Sequence, residues 1–177
     1  MQLITITGPS GAGKDTAARL LSEMIGIPVL VSYTTRPMRE GEENGREHWF
    51  VTPDMVPDKK DMLAYTVYGG YEYWTEVSQI GDGAIYVIDE EGLRDLHDRF
   101  PHIELITILV TATEDVRRQR GVTQERMERD LQRQVFPTDY YDFCIRNNDS
   151  TAFLRGSLQT AAGCFLLKKA SEIVNRT

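Results

Sequence analysis

Gly8-Pro9-Ser10-Gly11-Ala12-Gly13-Lys14-Asp15-Thr16 is the stretch that decides the fold of this chain. The apolar run at residues 3–7 predicts a strand before it, and apolar residues at helical spacing follow from Ala17. A glycine loop between a strand and a helix, ending in lysine, is typical of a phosphate-binding loop. The glycines let backbone N–H groups approach phosphate oxygens, and the helix N-terminus favours the negative charge. We therefore expect Gly8, Ser10, Gly11, Ala12, Gly13, Lys14, Asp15 and Thr16 to bind nucleotide phosphates.

The loop departs from the usual pattern directly after the lysine, where serine or threonine normally contributes a magnesium ligand. Asp15 occupies that position, and Thr16 follows one place later. We expect these two side chains to take over the metal shell of a Mg²⁺ ion that arrives with the nucleotide.

Composition limits the function classes that the chain can serve. Its 177 residues suit one domain, and 20 Lys and Arg against 27 Asp and Glu give a net charge of −7. That balance disfavours a nucleic-acid partner. The sequence opens on a predicted strand, and no apolar stretch approaches the roughly 18 residues of a membrane span. We expect a cytoplasmic protein, monomeric or homodimeric, without a membrane partner. Cys144 and Cys164 lack metal-binding spacing and are expected to be buried thiols.

Strand-like runs at residues 3–7, 28–32, 85–89, 104–110 and 142–146 alternate with helix-like segments, the last of them at 151–174. This alternation predicts an α/β fold with three layers, in which helices cover a parallel core sheet. We assign residues 1–32, 81–114 and 134–177 to the core. Residues of about 33–80 form a small insert that contains strands, and residues of about 115–133 form an arginine-rich lid.

A second basic motif, Ser32-Tyr33-Thr34-Thr35-Arg36-Pro37-Met38-Arg39, begins at the end of the second predicted strand. It places two arginines three residues apart beside hydroxyl groups. Arginine grips phosphate oxygens at two points, so this motif is a candidate site for a second, phosphorylated substrate. Gly41-Glu42-Glu43-Asn44-Gly45 then predicts a hairpin turn, with residues 47–52 as the returning strand.

These motifs, with Phe50-Val51 after them, resemble the guanylate kinase family, whose members transfer the γ-phosphate of ATP to GMP with Mg²⁺. The resemblance extends to about Asp149. It implies a P-loop kinase with small-molecule substrates, in which Asn147 lies near the adenine of ATP. It implies acceptor binding by Ser32, Arg36, Arg39, His48, Tyr73, Thr75 and Asp89. Because phosphoryl transfer depends on positioning and charge, it implies catalytic roles for Lys14, Arg36, Arg120 and Arg129. Arg117, Arg118, Arg126 and Arg133 are expected to be solvated.

Further positions depart from the family pattern, among them Trp74, which replaces a glycine between Tyr73 and Thr75. His48 stands where a phosphate-binding tyrosine is expected, and it can still donate a hydrogen bond. Ala64 replaces the glutamate that reads guanine, so that role passes to Asp61 or Glu72 or is lost. Val87 replaces the first of two acidic residues, which leaves Asp89 either to orient the acceptor or to cap the next helix.

Two alternatives stay open. The Gly-Lys-Asp variant and Asn147-Asn148-Asp149 are similar to ribose 1,5-bisphosphate phosphokinases, so the acceptor could be that sugar or a deoxynucleoside monophosphate. The second alternative is a guanylate-kinase-like module that binds protein without catalysis. Such modules usually have degraded phosphate loops, whereas Lys14 and every loop glycine are present here.

Overall fold

A computed structural model of the protein describes residues 1–174, so residues 175–177 of the predicted core lie outside the described residues. Along residues 1–174, no helix is long and apolar enough to cross a bilayer. The elements in chain order are β1 (Gln2–Thr7), α1 (Lys14–Ile25), β2 (Tyr33–Thr34), β3 (Trp49–Phe50), β4 (Met62–Tyr68), β5 (Tyr71–Glu76), β6 (Ala84–Val87), α2 (Glu90–Arg99), β7 (Glu104–Thr111), α3 (Glu114–Gln119), α4 (Gln124–Leu131), β8 (Phe143–Arg146) and α5 (Thr151–Val174).

The chain divides into two compact units. The first comprises Met1–Val29 together with the residues from Asp82 onward, and the second comprises Leu30–Gly81. The assignment of an acceptor-binding insert and of a lid concerns function as well as structure, and it stays a prediction.

The first unit is built on a four-stranded parallel sheet with the order β6-β1-β7-β8. Ile4 and Ile6 alternate with threonines along β1 and are fully buried with residues of α1 and α5 in one apolar core. Helix α2 also contacts β1 and buries Leu93. The α/β fold predicted from the alternating pattern is therefore confirmed, and the phosphate loop leaves the sheet at the carboxyl end of β1.

The strand predicted at residues 28–32 is not formed. Only Val29 makes a bridge, with Ile85, and the carbonyl of Pro28 accepts the Ile85 N–H at 2.8 Å. Proline has no N–H to donate to a ladder, so the pairing does not extend past Val29 toward the N-terminal side of the segment.

Strand β8 forms an edge of the parallel sheet, and this position decides the exposure of Cys144. Successive side chains of a strand point to opposite faces, so the buried Ile145 leaves Cys144 on the exposed face. The prediction of a buried thiol is wrong for Cys144, and Cys164 is half-buried.

The second unit contains a four-stranded sheet with the order β3-β2-β5-β4. Its long strands β4 and β5 are antiparallel, whereas β2 and β3 are parallel, with Thr34 in register with Phe50. The predicted hairpin at residues 41–45 is therefore wrong, because a hairpin would make these strands antiparallel. The chain instead crosses over between them through a loop that contains the ion pair of Arg36 with Glu42.

Candidate active site

The backbone of the phosphate loop requires glycine at several points, among them Gly8 and Gly13. Gly8 and Gly13 have φ angles of +142° and +95°. A Cβ atom on Gly8 would lie 1.9 Å from the carbonyl oxygen of Val110, and one on Gly13 would lie 2.4 Å from Nδ2 of Asn147. Helix α1 begins at Lys14, and Gly13 offers no side chain to cap its first N–H groups. These amides are therefore available to an anion at the helix N-terminus.

Lys14 lies within this loop. Its Nζ donates to the carbonyl oxygens of Gly8 at 2.8 Å and Pro9 at 3.2 Å. Burial lowers the pKa of Lys14 from its ordinary value, and the positive charge of Arg133 lowers it further. The ammonium group is thus held at the loop by carbonyl dipoles, and its contact with nucleotide phosphates stays a prediction.

The remaining loop carbonyls are held by residues from distant parts of the chain. Arg120 donates from Nη1 to the carbonyl oxygen of Gly11 at 3.0 Å and from Nη2 to that of Asn147 at 2.9 Å. The side-chain amide of Asn147, which is 5% exposed, donates to the carbonyl of Ala12 at 2.8 Å. The structure therefore brings Arg120 and Asn147 to the phosphate loop. The roles predicted for them in catalysis and adenine binding stay predictions.

Ser10 is held by two residues that the sequence analysis did not assign to the site. Asp130, at the end of α4, accepts from the Ser10 N–H at 2.9 Å and from its hydroxyl at 3.1 Å. Arg117 of α3 pairs with Asp130 and donates from Nε to the Ser10 carbonyl at 2.7 Å. We call these two residues the Arg117–Asp130 pair. No local pattern marks them, since both sit among charged residues of short helices.

Two of the arginines predicted to be solvated are instead half-buried and form ion pairs, so that prediction is wrong for Arg117 and Arg133. Arg133 pairs with Glu90, which is only 3% exposed at the start of α2. A carboxylate with so little access to water needs a cationic partner close by. Arg118 is exposed, as expected, and so is Arg129 on α4.

Asp15 and Thr16 are the side chains predicted to lie beside a metal ion. Asp15 is exposed in the first turn of α1, and Thr16 is half-buried beside it. Among the side chains of the described residues, no three His, Cys, Asp or Glu form a group that could hold a metal. Mg²⁺ is commonly bound through one or two protein groups together with substrate phosphates, and the roles of Asp15 and Thr16 toward it stay predictions.

Asp89 has a structural partner. It is the N-cap residue of α2, and its Oδ1 accepts from the Gly92 N–H at 2.8 Å. The helix-capping alternative is therefore observed, and a role in orienting the acceptor stays a prediction.

In the second unit, two of the residues predicted to bind the acceptor, Tyr73 and Thr75, share one face of the sheet with Thr34. Thr34 is in register with Tyr73, and Thr75 follows two residues along β5. Alternation puts these three side chains on one face, which we call the acceptor face. The His48 ring lies 5.5 Å from the Tyr73 ring, and its Nδ1 lies 2.8 Å from Oγ of Ser32. Arg36 also interacts with Tyr73, so five of the predicted acceptor-binding residues lie in one region of the second unit: Ser32, Arg36, His48, Tyr73 and Thr75.

Arg36 is the charged centre of this cluster and is only 7% exposed. Its two terminal nitrogens donate to the Glu42 carboxylate at 3.0 and 2.8 Å, and the backbone N–H of Arg39 donates to the same carboxylate at 2.7 Å. The Arg36 guanidinium and then the Arg39 N–H lower the pKa of Glu42 to about 2. Glu42 was not predicted to belong to the site, and the side chain of Arg39 is exposed.

The register of β4 and β5 also locates the position that the resemblance assigns to guanine reading. Ala64 is paired with Thr75 and so lies on the acceptor face. Glu72 lies between Tyr71 and Tyr73 and therefore points to the opposite face, where it accepts from the Tyr65 hydroxyl at 2.9 Å. The hypothesis that Glu72 replaces the missing carboxylate is wrong, because its side chain is on the other side of the sheet. Asp61 is exposed ahead of β4.

Comparison with known proteins gives one consistent family. The model of the guanylate kinase family matches residues 1–155. A guanylate kinase of Fusobacterium nucleatum is 31% identical in an alignment of length 164 that covers 83% of this chain and 88% of that protein. A guanylate kinase of a Nostoc species is 33% identical in an alignment of length 171 that covers 87% of this chain and 86% of that protein.

A crystal structure of guanylate kinase from Anaplasma phagocytophilum has the same fold. It superimposes with a TM-score of 0.66 at 18% identity, covering 94% of this chain and 85% of that one.

Proposed function

Because the chain belongs to the guanylate kinase family, we propose that this nucleoside monophosphate kinase transfers the γ-phosphate of ATP to GMP. The observation that carries the proposal is the phosphate loop. Every carbonyl oxygen from Gly8 to Gly13 accepts a hydrogen bond, and the uncapped amides of α1 follow directly. With the carbonyls engaged and Lys14 adjacent, the loop presents donors and positive charge to a polyphosphate.

On the donor side, the loop amides and Lys14 would hold the β and γ phosphates of ATP. Mg²⁺ would enter as part of the substrate, with Asp15 and Thr16 beside its coordination shell. The ion supplies charge neutralisation between the β and γ phosphates. Arg120 and Arg129 are proposed to stabilise the charge of the transferring group.

On the acceptor side, Arg36 and its neighbours Ser32, His48 and Tyr73 would bind the GMP phosphate. Arg39 is proposed to reach the same phosphate from the exposed end of the loop. A phosphate oxygen of GMP attacks the γ-phosphorus, the bond to the β–γ bridging oxygen breaks, and GDP and ADP result. The attacking oxygen is already anionic, so the reaction needs positioning and charge rather than a strong base.

The test is a coupled assay of ADP formation with a panel of acceptors: GMP, dGMP, AMP, UMP, CMP and ribose 1,5-bisphosphate. We expect the highest kcat/KM with GMP. Turnover with the sugar bisphosphate alone would overturn the proposal, and no turnover with any acceptor would indicate a binding module. The Lys14→Met variant is the matched control, and its kcat should fall by about a hundredfold or more. The two substrates are nucleotides of the cytoplasm, where we propose that the enzyme acts.

A further inference from the structure

We propose that Arg117 and Asp130 are positioning residues that clamp Ser10 and so set the shape of the phosphate loop for ATP. The proposal rests on the proposed ATP site and goes beyond it, because neither residue is expected to touch the nucleotide. All three polar groups of Ser10 (the N–H, the carbonyl and the hydroxyl) are bonded to this pair.

The contacts are sheltered from water. The side chains of Arg117 and Asp130 are 12% and 7% exposed, and Ser10 is 8% exposed. Hydrogen bonds to charged groups are stronger than neutral ones and gain further where water is excluded. Two short helices that lie more than a hundred positions along the chain thus hold one loop residue in a fixed orientation.

Fixing Ser10 fixes the peptide groups on both sides of it. A peptide group is planar, and its N–H and C=O point in opposite directions. Asp130 holds the Ser10 N–H and therefore orients the Pro9 carbonyl, which accepts from Lys14 Nζ at 3.2 Å and from the Ala12 N–H at 3.2 Å. Arg117 holds the Ser10 carbonyl and therefore orients the Gly11 N–H. The pair thus acts on the loop amides and on Lys14 through the backbone.

This arrangement ties the loop to α3 and α4, which make up most of the segment predicted to be a lid. A displacement of either helix would release a bond to Ser10, and a loop already shaped for phosphate would hold α3 and α4 in place. ATP affinity should therefore depend on the pair, whereas affinity for GMP, which binds to the other unit, should not.

The experiment compares Asp130→Asn and Arg117→Met with Glu114→Gln, which disrupts the exposed pair of Glu114 and Arg118 on the same helix. Titration calorimetry with ATP alone gives Kd, and steady-state assays give kcat and the KM for each substrate. We expect the Kd and KM for ATP to rise about tenfold in both pair variants, from the loss of a charge-assisted bond. The KM for GMP should be unchanged, and the double variant should be no worse than either single one. Glu114→Gln should match the wild type.

If the Arg117–Asp130 pair only stabilised the fold, its variants would have a lower Tm but the wild-type KM for ATP. That result would overturn the inference. If either variant does not fold, Arg117→Lys decides, since it keeps the charge but lacks the Nε donor to Ser10. Normal Tm with weaker ATP binding would support the clamp, and unchanged ATP binding would reject it. A wild-type protein that binds no ATP would reject the proposed function instead.

Discussion

Ala64 stands opposite Thr75 in the register of β4 and β5, and Thr75 is fully buried. The position that the family resemblance assigns to guanine recognition is therefore on the acceptor face, but it carries only a methyl group. A methyl group accepts no hydrogen bond, so the N–H groups on the guanine edge lose the partner that a carboxylate would provide. The wild-type enzyme should discriminate weakly between GMP and AMP.

Ala64→Glu should raise the ratio of kcat/KM for GMP to that for AMP by about ten- to a hundredfold. The reason is that a carboxylate at this position accepts from guanine N–H groups, and a hydrogen bond to a charged group contributes about 1.5–3 kcal/mol. Steady-state kinetics with both nucleotides measures the ratio.

Val67→Gln is the control for this experiment, because Val67 is exposed on the opposite face of β4. The ratio should stay at the wild-type value in that variant. An unchanged ratio in Ala64→Glu would mean that the base is read elsewhere in the second unit.

The sequence predicted the features that depend on local pattern. Strand β1, the glycine loop and α1 follow from apolar spacing and from glycine and lysine at fixed positions. Prediction from the sequence was wrong where the exposure of a side chain depends on a partner that is distant in the chain. The local sequence predicts that Arg117 and Arg133 are solvated. Their low exposure is explained by ion pairs, Arg117 with Asp130 and Arg133 with the buried Glu90.

The same limit applies to the second unit. Glu72 is one residue from Tyr73, but alternation along β5 sends their side chains to opposite faces. Which of the two faces binds an acceptor depends on the register with β2 and β4, and register is a pairing between distant segments. The parallel crossover between β2 and β3 could not be predicted for the same reason. Its glycines are equally typical of a hairpin, and only the pairing of the two strands distinguishes the two connections.

His48 should make the stability of the protein depend on pH. Burial lowers the pKa of His48, and the positive charge of Arg36 lowers it further, whereas Glu42 and Glu47 oppose this shift. The unfolded chain therefore takes up a proton at this residue before the folded protein does. The contribution of neutral His48 to the free energy of unfolding is therefore fully present above about pH 6.5, and it decreases as the pH falls below that value.

Urea unfolding between pH 5.5 and 8 measures this effect against His48→Gln. The difference between the two proteins cancels the other titrating groups, and the wild type should lose more stability than the variant as the pH falls below about 6.5. Parallel profiles for the two proteins would contradict the prediction.

Glu42→Gln should weaken GMP binding without affecting ATP. The Glu42 carboxylate holds both terminal nitrogens of Arg36, so its loss removes the two charge-assisted bonds of the guanidinium and leaves the weaker one from Nη1 to the Pro37 carbonyl. We expect the KM for GMP to rise about tenfold, with the KM for ATP unchanged. Glu43→Gln, which breaks an exposed pair with Arg46, should behave as the wild type.

The pH dependence of this pair has a definite sign. The pKa of Glu42 is lowered to about 2, so its contribution to stability is present above the ordinary carboxyl pKa and is lost as the pH falls towards 2. The effect of Glu42→Gln on KM should therefore be constant across pH 5 to 8. An effect that disappears towards pH 5 would contradict the assigned ionisation.

Gly8→Ala should destabilise the protein severely, because two penalties coincide at this position. The φ angle of +142° is one that a residue with a Cβ rarely adopts, and the added carbon would lie 1.9 Å from a backbone oxygen of Val110. We expect a loss of about 3 kcal/mol or more in the free energy of unfolding measured with urea, together with loss of ATP binding.

Gly156→Ala is the matched control, since Gly156 lies in α5 with nothing within 4 Å of the new carbon. That variant should gain about 0.5–1 kcal/mol from lower backbone entropy in the unfolded chain. Equal stability of the two variants would show that the loop can shift away from β7, and the requirement for glycine at position 8 would then fail.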